Sequence, residues 1–412
     1  MPLFHRRSIP YFSSNRIKKP IREFRPLSVH LSEADFLVDS NPGVHIMLAI
    51  VDQGTLSHDP SRGAYMPTIT PLPDGSFIAC QHVGSSLGAP DNHIEVLRST
   101  DGRAWTEQGS IHPTTPPADG WAYRGPQISV VPDGRLVMTA TRFLTEGGQL
   151  FDSETEALQR PEMLLFWSND LGTTWSAPQI VPVDLPPEKY TWNGAGRLLQ
   201  LAPDRWMYPL ETWKPEGYQG PPDQKAAAVF STDGGSTWSD FTVVADDPSG
   251  RLLWWDQMNA LLSDGRIYTL LWTHCYGTSE DLENHWVLSA DGGRTWSTPV
   301  PTNLRGQVCT PIPLADGRMA AIYNFRHEPQ SIRVALTEDL STFDLDHQAI
   351  VFDAGAEATL GRPDSDNFLA EHQLIAFGKP GGIRLSDGDL LTYFWCTTQK
   401  VTHTRWVRLR VL

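Results

Sequence analysis

Three times the chain spells Ser-x-Asp-x-Gly-x-x-Trp: Ser168 to Trp175, Ser231 to Trp238 and Ser289 to Trp296. A fourth copy, one residue shorter, runs from Ser99 to Trp105, and a worn fifth from Thr337 to Phe343. Successive box aspartates lie 69, 63, 58 and 48 residues apart, a spacing that fits a whole supersecondary unit repeated along the chain. Each box holds the parts of a tight strand connection: an Asp whose carboxylate can accept from nearby backbone N–H groups, a Gly free to take positive φ, and a Trp to anchor the turn.

A second repeat shares this period. Asp-Gly hairpin signals flanked by apolar alternation stand at Asp74-Gly75, Asp133-Gly134, Asp264-Gly265, Asp316-Gly317 and Asp387-Gly388, and Pro203-Asp204-Arg205 fills the remaining interval. Each is followed by a β-prone run and, in five units, by a box, so the order within a unit is strand, turn, strand, loop, strand, box, strand. Six four-stranded units predict an all-β chain arranged as a six-bladed β-propeller of antiparallel blades. The sixth unit stops at Val411–Leu412 without a box or a fourth strand. The apolar segment from Val44 to Val51 is the natural donor, closing the ring by pairing the two ends of the chain and removing a sheet edge. The propeller is expected over residues 44–412, preceded by a partly irregular extension over 1–43 that carries a cluster of Arg and Lys.

Composition narrows the partners. A formal net charge of −15 speaks against nucleic acid or an anionic membrane. No apolar core follows the basic N-terminal residues and no run of 18 apolar residues occurs, so a cytoplasmic protein without a membrane span is expected. Cys80, Cys275, Cys309 and Cys396 lack metal-ligand spacing and fall in different units; they read as buried thiols, and neither a metal nor a cofactor is implied. Nothing in the sequence specifies an oligomeric state.

In a propeller, function sits where inner strands begin, some eight residues before or after each Asp-Gly turn. That geometry nominates Tyr65, His82 and Asp91 in blade one, Arg124 and Arg142 in blade two, and Asn193 and Glu211 in blade three. Blade four offers Asp256, Gln257 and His274, blade five Gln307, Arg326 and His327, and blade six Lys379 and Trp395, with Glu371 and His372 in the adjacent loop. Cations, histidines and carboxylates gathered at one face of an acidic protein suit a polar small molecule. Glu146, Asp152 and Glu154 lie in a long insertion of blade two that reads as either a lid or a solvated loop.

The boxes and hairpins resemble the sialidase superfamily of Asp-box propellers. The resemblance implies a carbohydrate substrate and a glycosidase-like activity, but its residues carry over only in part. Where sialidases place the Arg of an Arg-Ile-Pro motif, this chain has Tyr65-Met66-Pro67, while blade two reads Tyr123-Arg124-Gly125-Pro126. The sialidase nucleophilic Tyr aligns with Lys379, its partner Glu with Asp256-Gln257, and its acid-bearing loop with Asp91. Two carboxyl groups for glycoside hydrolysis are then sought in Glu211, Asp256 and Asp91, with Trp213, Trp254 and Trp255 as apolar surroundings and Arg124, Arg142 and Arg326 converging on an anionic group. The expected activity is an exo-acting hydrolase for a terminal sugar, acidic sugars included. The alternatives are a uronate-type lyase using Tyr65 with His82 or His274 as acid and base, and a glycan-binding propeller without catalysis.

Overall fold

The computed structural model describes residues 47–111, 120–152, 155–355 and 375–412. The extension over 1–43, Val44, Glu154, Glu371 and His372 lie outside the described residues. Among the described residues are twenty-five β-strands and one 3-10 turn, Thr145–Gly147, and no helix long and apolar enough to cross a membrane.

Blade one is β2 (Gly63–Pro71), β3 (Phe77–Gly84), β4 (His93–Ser99) and β5 (Thr106–Ser110); blade two is β6 (Trp121–Val130), β7 (Leu136–Leu144), β8 (Glu162–Ser168) and β9 (Gln179–Ile180). In blade three a split inner strand, β10 (Thr191–Gly194) and β11 (Leu199–Gln200), pairs with β12 (Trp206–Trp213), then β13 (Lys225–Ser231) and β14 (Ser239–Asp246). Blade four is β15 (Leu252–Leu261), β16 (Ile267–Cys275), β17 (His285–Ser289) and β18 (Val300–Pro301). Blade five is β19 (Cys309–Pro313), β20 (Met319–Phe325), β21 (Ser331–Thr337) and β22 (Ala349–Asp353). The sixth blade mixes the two ends of the chain: β23 (Phe377–Arg384), β24 (Leu390–Thr398), β25 (Val401–Val411) and, outermost, β1 (Leu48–Ser57). β1 runs antiparallel to β25 from Leu48 opposite Val411 to Ser57 opposite Thr404, so the closing strand lies further along the chain than the apolar run alone indicates.

The two sequence repeats have separate jobs. Asp-Gly turns join the first and second strands of a blade: Gly75 sits at φ 85° and donates to Leu72 O at 3.0 Å, while Leu72 N donates to Ser76 O at 2.8 Å. Boxes join the third and fourth strands. In Ser231–Trp238 the Asp233 carboxylate accepts from Thr237 N (2.8 Å) and Thr237 Oγ1 (2.6 Å), and Ser231 Oγ accepts from Gly235 N (2.8 Å). Gly235, at φ 86°, lies so near the Trp206 ring that a Cβ would come within 2.6 Å of it, which is why this position excludes every larger residue.

Blades are glued face to face by apolar clusters at each of the six interfaces. Ile78 and Val96 of blade one meet Ile128 and Leu164 of blade two, and across the closing interface Ile69 and Leu97 meet Leu391 and Trp406. Polar rivets tie neighbouring inner strands: Thr70 Oγ1 donates to Ile128 O at 2.7 Å, Gln127 Nε2 to Gly196 O at 2.8 Å, and Thr310 Oγ1 to Pro380 O at 2.6 Å. A seventh cluster, with Leu150, Leu158, Trp213, Trp255 and Trp272, lies at the mouth.

Candidate active site

Four inner strands carry the same irregularity at the mouth. The pairing register skips between Tyr65 and Thr68, Arg124 and Gln127, Trp255 and Met258, and Gly378 and Gly381. Within each skip one residue is left-handed: Met66 at φ 49°, Gly125 at 60°, Asp256 at 46° and Lys379 at 42°. A bulge bends its strand and re-aims a side chain, and all four residues line one cavity on the propeller axis. For the three non-glycine residues the conformation costs on the order of 1–3 kcal/mol, held in place by the ladders on either side.

The cavity encloses about 1040 Å³ of empty space, its open mouth included. Asp256 and Lys379, from blades four and six, meet across the axis, Lys379 Nζ lying 2.5 Å from Asp256 Oδ1. Glu211, from β12, stands beside them with its Oε2 accepting from Asp256 N at 2.9 Å. Its side chain is only 7% exposed. Burial, and then the neighbouring Asp256 charge, push the Glu211 carboxyl up to about 8 against the opposing pull of Lys379 and Arg124.

Arg124 is buried over the Phe151 ring, 5.2 Å from its centroid, and its Nε has no hydrogen-bond partner. Burial pulls its guanidinium below the usual arginine range, and Asp256 and Glu211 counter that pull. Asn193 Oδ1 and Asn324 Oδ1 also face the site buried and unpartnered. Such groups are rare in a settled interior and mark where a ligand's hydroxyls or acid group would bond. Trp213, Trp255, Trp272 and Trp395 also line the cavity. Arg326 is steadied by Gln307, its Nε donating to Oε1 at 2.9 Å, by Phe377 O and by the Phe377 ring at 4.0 Å. Gln307 in turn donates to Asp281 Oδ2 at 3.1 Å, and Asp281 Oδ1 accepts from Trp272 Nε1 at 2.7 Å. Burial works to raise the Asp281 carboxyl, but hydrogen bonds and the adjacent His274 hold it below the usual carboxylate range.

Of the residues nominated from sequence, Arg124, Asn193, Glu211, Asp256, Gln307, Arg326, Lys379 and Trp395 line the cavity. The others are placed elsewhere. Arg142 is one step along β7 from cavity-lining Thr141, and that step turns it to the other face, where it pairs with Glu162 at 2.6 Å over the Trp121 ring. The three arginines therefore do not all converge. Asp91 is consumed in its own loop, accepting from Ser85 N and Ser85 Oγ. Tyr65 stacks on His82 and packs edge-on against Trp395 behind the wall. His82 is fully buried and burial drives its imidazole down to about 3. Gln257 rivets blade four to blade three through Leu210 O (2.6 Å) and Ala227 O (2.8 Å). His274 bonds Asp281 at 2.9 Å, and His327 packs edge-on against Phe325.

Several cavity residues had no place among the sequence nominees. Trp272 and Asn324 precede His274 and Arg326 by two residues, the same-face step of a strand, so alternation alone could have found them. The X-Pro pairs Met66-Pro67, Gly125-Pro126 and Lys379-Pro380 carried a further signal for the bulges. Phe151 and Leu158 come from the blade-two insertion, where periodicity offers nothing. Of the adjacent Trp254 and Trp255, only Trp255 faces the cavity.

Comparison with known proteins places this geometry. Solved structures with the same fold include a protein of unknown function from Dyadobacter fermentans, 17% identical, TM-score 0.67, aligned over 89% of this chain and 100% of that one. An α-L-arabinanase of Penicillium chrysogenum complexed with arabinobiose is 15% identical, TM-score 0.59, over 87% and 98% of the two chains. The intramolecular trans-sialidase of Ruminococcus gnavus in complex with oseltamivir carboxylate is 14% identical, TM-score 0.55, over 90% and 97%. At such identities the likeness establishes the fold. No curated protein sequence matches the chain. The family model of the BNR repeat-like domain matches residues 75–353, which contain all five boxes, and the chain belongs to that family of Asp-box propellers.

Proposed function

We propose that this protein is an exo-acting glycoside hydrolase that removes a terminal sugar, with Glu211 as proton donor and Asp256 as the second carboxylate. One observation carries the reading: two adjacent carboxyl groups in one cavity sit in opposite electrostatic settings. Burial and its neighbour's charge favour the protonated form of Glu211, whereas Asp256 is ion-paired with Lys379. Glycoside cleavage asks for this division of labour. Glu211 gives its proton to the glycosidic oxygen as the C–O bond breaks. Asp256 faces the cationic ring carbon and either takes the proton of the water that attacks it, or bonds to that carbon as a glycosyl ester that a water, giving its proton to the Glu211 carboxylate, then hydrolyses to free Asp256. Tryptophan faces suit the C–H face of a sugar ring, and Arg124, Asn193 and Asn324 suit its hydroxyls or an acid group. Among the similar propellers, one holds arabinobiose and another is a trans-sialidase, which supports a glycan as the occupant. A lyase built on Tyr65 with His82 or His274 would need them at the reacting atoms, and none of the three lines the cavity.

The test is a panel of chromogenic terminal-sugar glycosides and linear oligosaccharides, with products separated by chromatography. A released monosaccharide or disaccharide, abolished by Glu211→Gln, is expected. An unsaturated product absorbing in the ultraviolet would replace the hydrolase by a lyase, and binding without turnover would leave a lectin.

A further inference from the structure

We propose that a two-armed strap from blade two converts the axial cavity into a dead-end pocket, and that Glu156 fastens it, so that the strap sets selectivity for chain ends. The inference rests on the glycan-active reading above.

The arms are residues 149–152 and 155–160, beyond β7. They pair with each other: Phe151 bridges Leu158, Asp152 N donates to Ala157 O at 3.0 Å and Gln159 N to Leu150 O at 3.1 Å. One flank is bonded to the blade-one loop, Leu150 N to Gly88 O at 3.1 Å. The other flank is bonded to blade three, Leu158 N to Lys214 O at 3.3 Å. The strap is therefore held at the rim between the blade-one loop and blade three, and it is packed structure: Leu150 is fully buried and Leu158 nearly so. Phe151 and Leu158 form part of the cavity wall.

Glu156 is the fastening. It is a non-glycine residue at φ 57°. Its carbonyl accepts from Trp213 Nε1 at 2.5 Å, and its carboxylate meets Lys214 Nζ at 3.4 Å and Tyr276 OH at 3.3 Å. A single strained residue thus ties the strap to blades three and four, next to the tryptophan that walls the cavity. A strained conformation retained on a loop is held by what it contacts, and here the contacts lie at the pocket rim. A glycan bound through an internal sugar must leave the site in two directions, and the strap stands across one of them. A terminal sugar needs one exit.

The experiment uses the full chain carrying Glu211→Gln, which binds without turnover, on a microarray of linear glycans attached through their reducing ends. Each glycan is displayed with a free and with an O-methyl-capped terminal sugar. The expected result is at least tenfold preference for free ends, falling severalfold or more when Phe151→Ala or Glu156→Gly is added. Phe151→Ala leaves the strap's backbone bonds and buried leucines in place, so it remains informative where Glu156→Gly lowers stability. Preference unchanged in both variants, equal binding of capped and free ends by the parent, or no binding to any glycan would each overturn the proposal. End-selective binding by a chain whose wild-type form hydrolyses nothing would sink the hydrolase reading and leave the strap standing.

Discussion

Glu211 is the proton donor in the proposed reaction, and its environment makes a prediction with a sign. Its folded-state carboxyl is raised from an ordinary 4.5 to about 8. Below pH 4.5 folded and unfolded chains both hold the proton; between about 4.5 and 8 only the folded chain does. Stability should therefore decline as pH rises through this window, by up to about 1.4 kcal/mol per pH unit, and level off above it. Glu211→Gln should flatten that slope, measured by urea unfolding at several pH values; an identical slope in the variant would assign it to another group. The same substitution should lower turnover by about 100-fold or more, because proton donation is lost. Lys379→Met removes the cation paired with Asp256. Carboxylates that lose a neighbouring cation bind protons more tightly, so the acidic limb of kcat/KM should move to higher pH by roughly a unit. An unmoved limb would show that Lys379 does not hold Asp256 in its charged form.

At the level of elements, the bulges do what regular strands could not. A strand alternates faces, and only an inserted residue in left-handed conformation lets Asp256 and Lys379 reach the axis from blades four and six. A second pair of left-handed residues lies at the two-residue hairpin between β24 and β25, where Gln399 and Lys400 take φ 51° and 67° with Thr398 paired to Val401. This is the geometry for which Asn-Gly is preferred. Lys400→Gly should therefore stabilise the protein by about 0.5–1 kcal/mol, relieving strain at the cost of some unfolded-state entropy. Differential scanning calorimetry would check it, and a lowered midpoint would mean that Lys400 makes a compensating contact.

For the whole molecule, closure is the controlling feature. β1 supplies the outer edge of blade six, and Leu48 and Leu56 join apolar clusters on its two sides. Deleting residues 1–25 should leave the thermal midpoint nearly unchanged. Deleting 1–57 strips β25 of its partner along its whole length and should cost several kcal/mol, enough to abolish soluble expression given the small net stability of folded domains. A stable, cooperatively unfolding product of the longer deletion would show that five and three-quarter blades suffice.

Architecture was legible in the sequence because its signals are local. An Asp box is a closed set of bonds among eight residues, and an Asp-Gly turn is complete within five, so six units could be counted and the missing fourth strand inferred before any coordinates. The same held for Arg124, Glu211, Asp256 and Lys379 at the mouth, whose distance from a turn fixes their height along a strand. Height along a strand is not direction. Which face Arg142 presents, and that Tyr65 and His82 lie behind the wall, depend on bulges and on neighbouring strands, and that Asp91 is spent on Ser85 depends on a loop conformation with no periodic signal. The charge state of Glu211 depends on burial by other blades and on Asp256, 45 residues away, and the strap's place at the rim depends on partners in blades one, three and four. Local bonding writes the repeat into the sequence; burial and approach across the ring axis are properties of the closed propeller, and only there do Glu211, Asp256, Lys379 and the pocket wall come together.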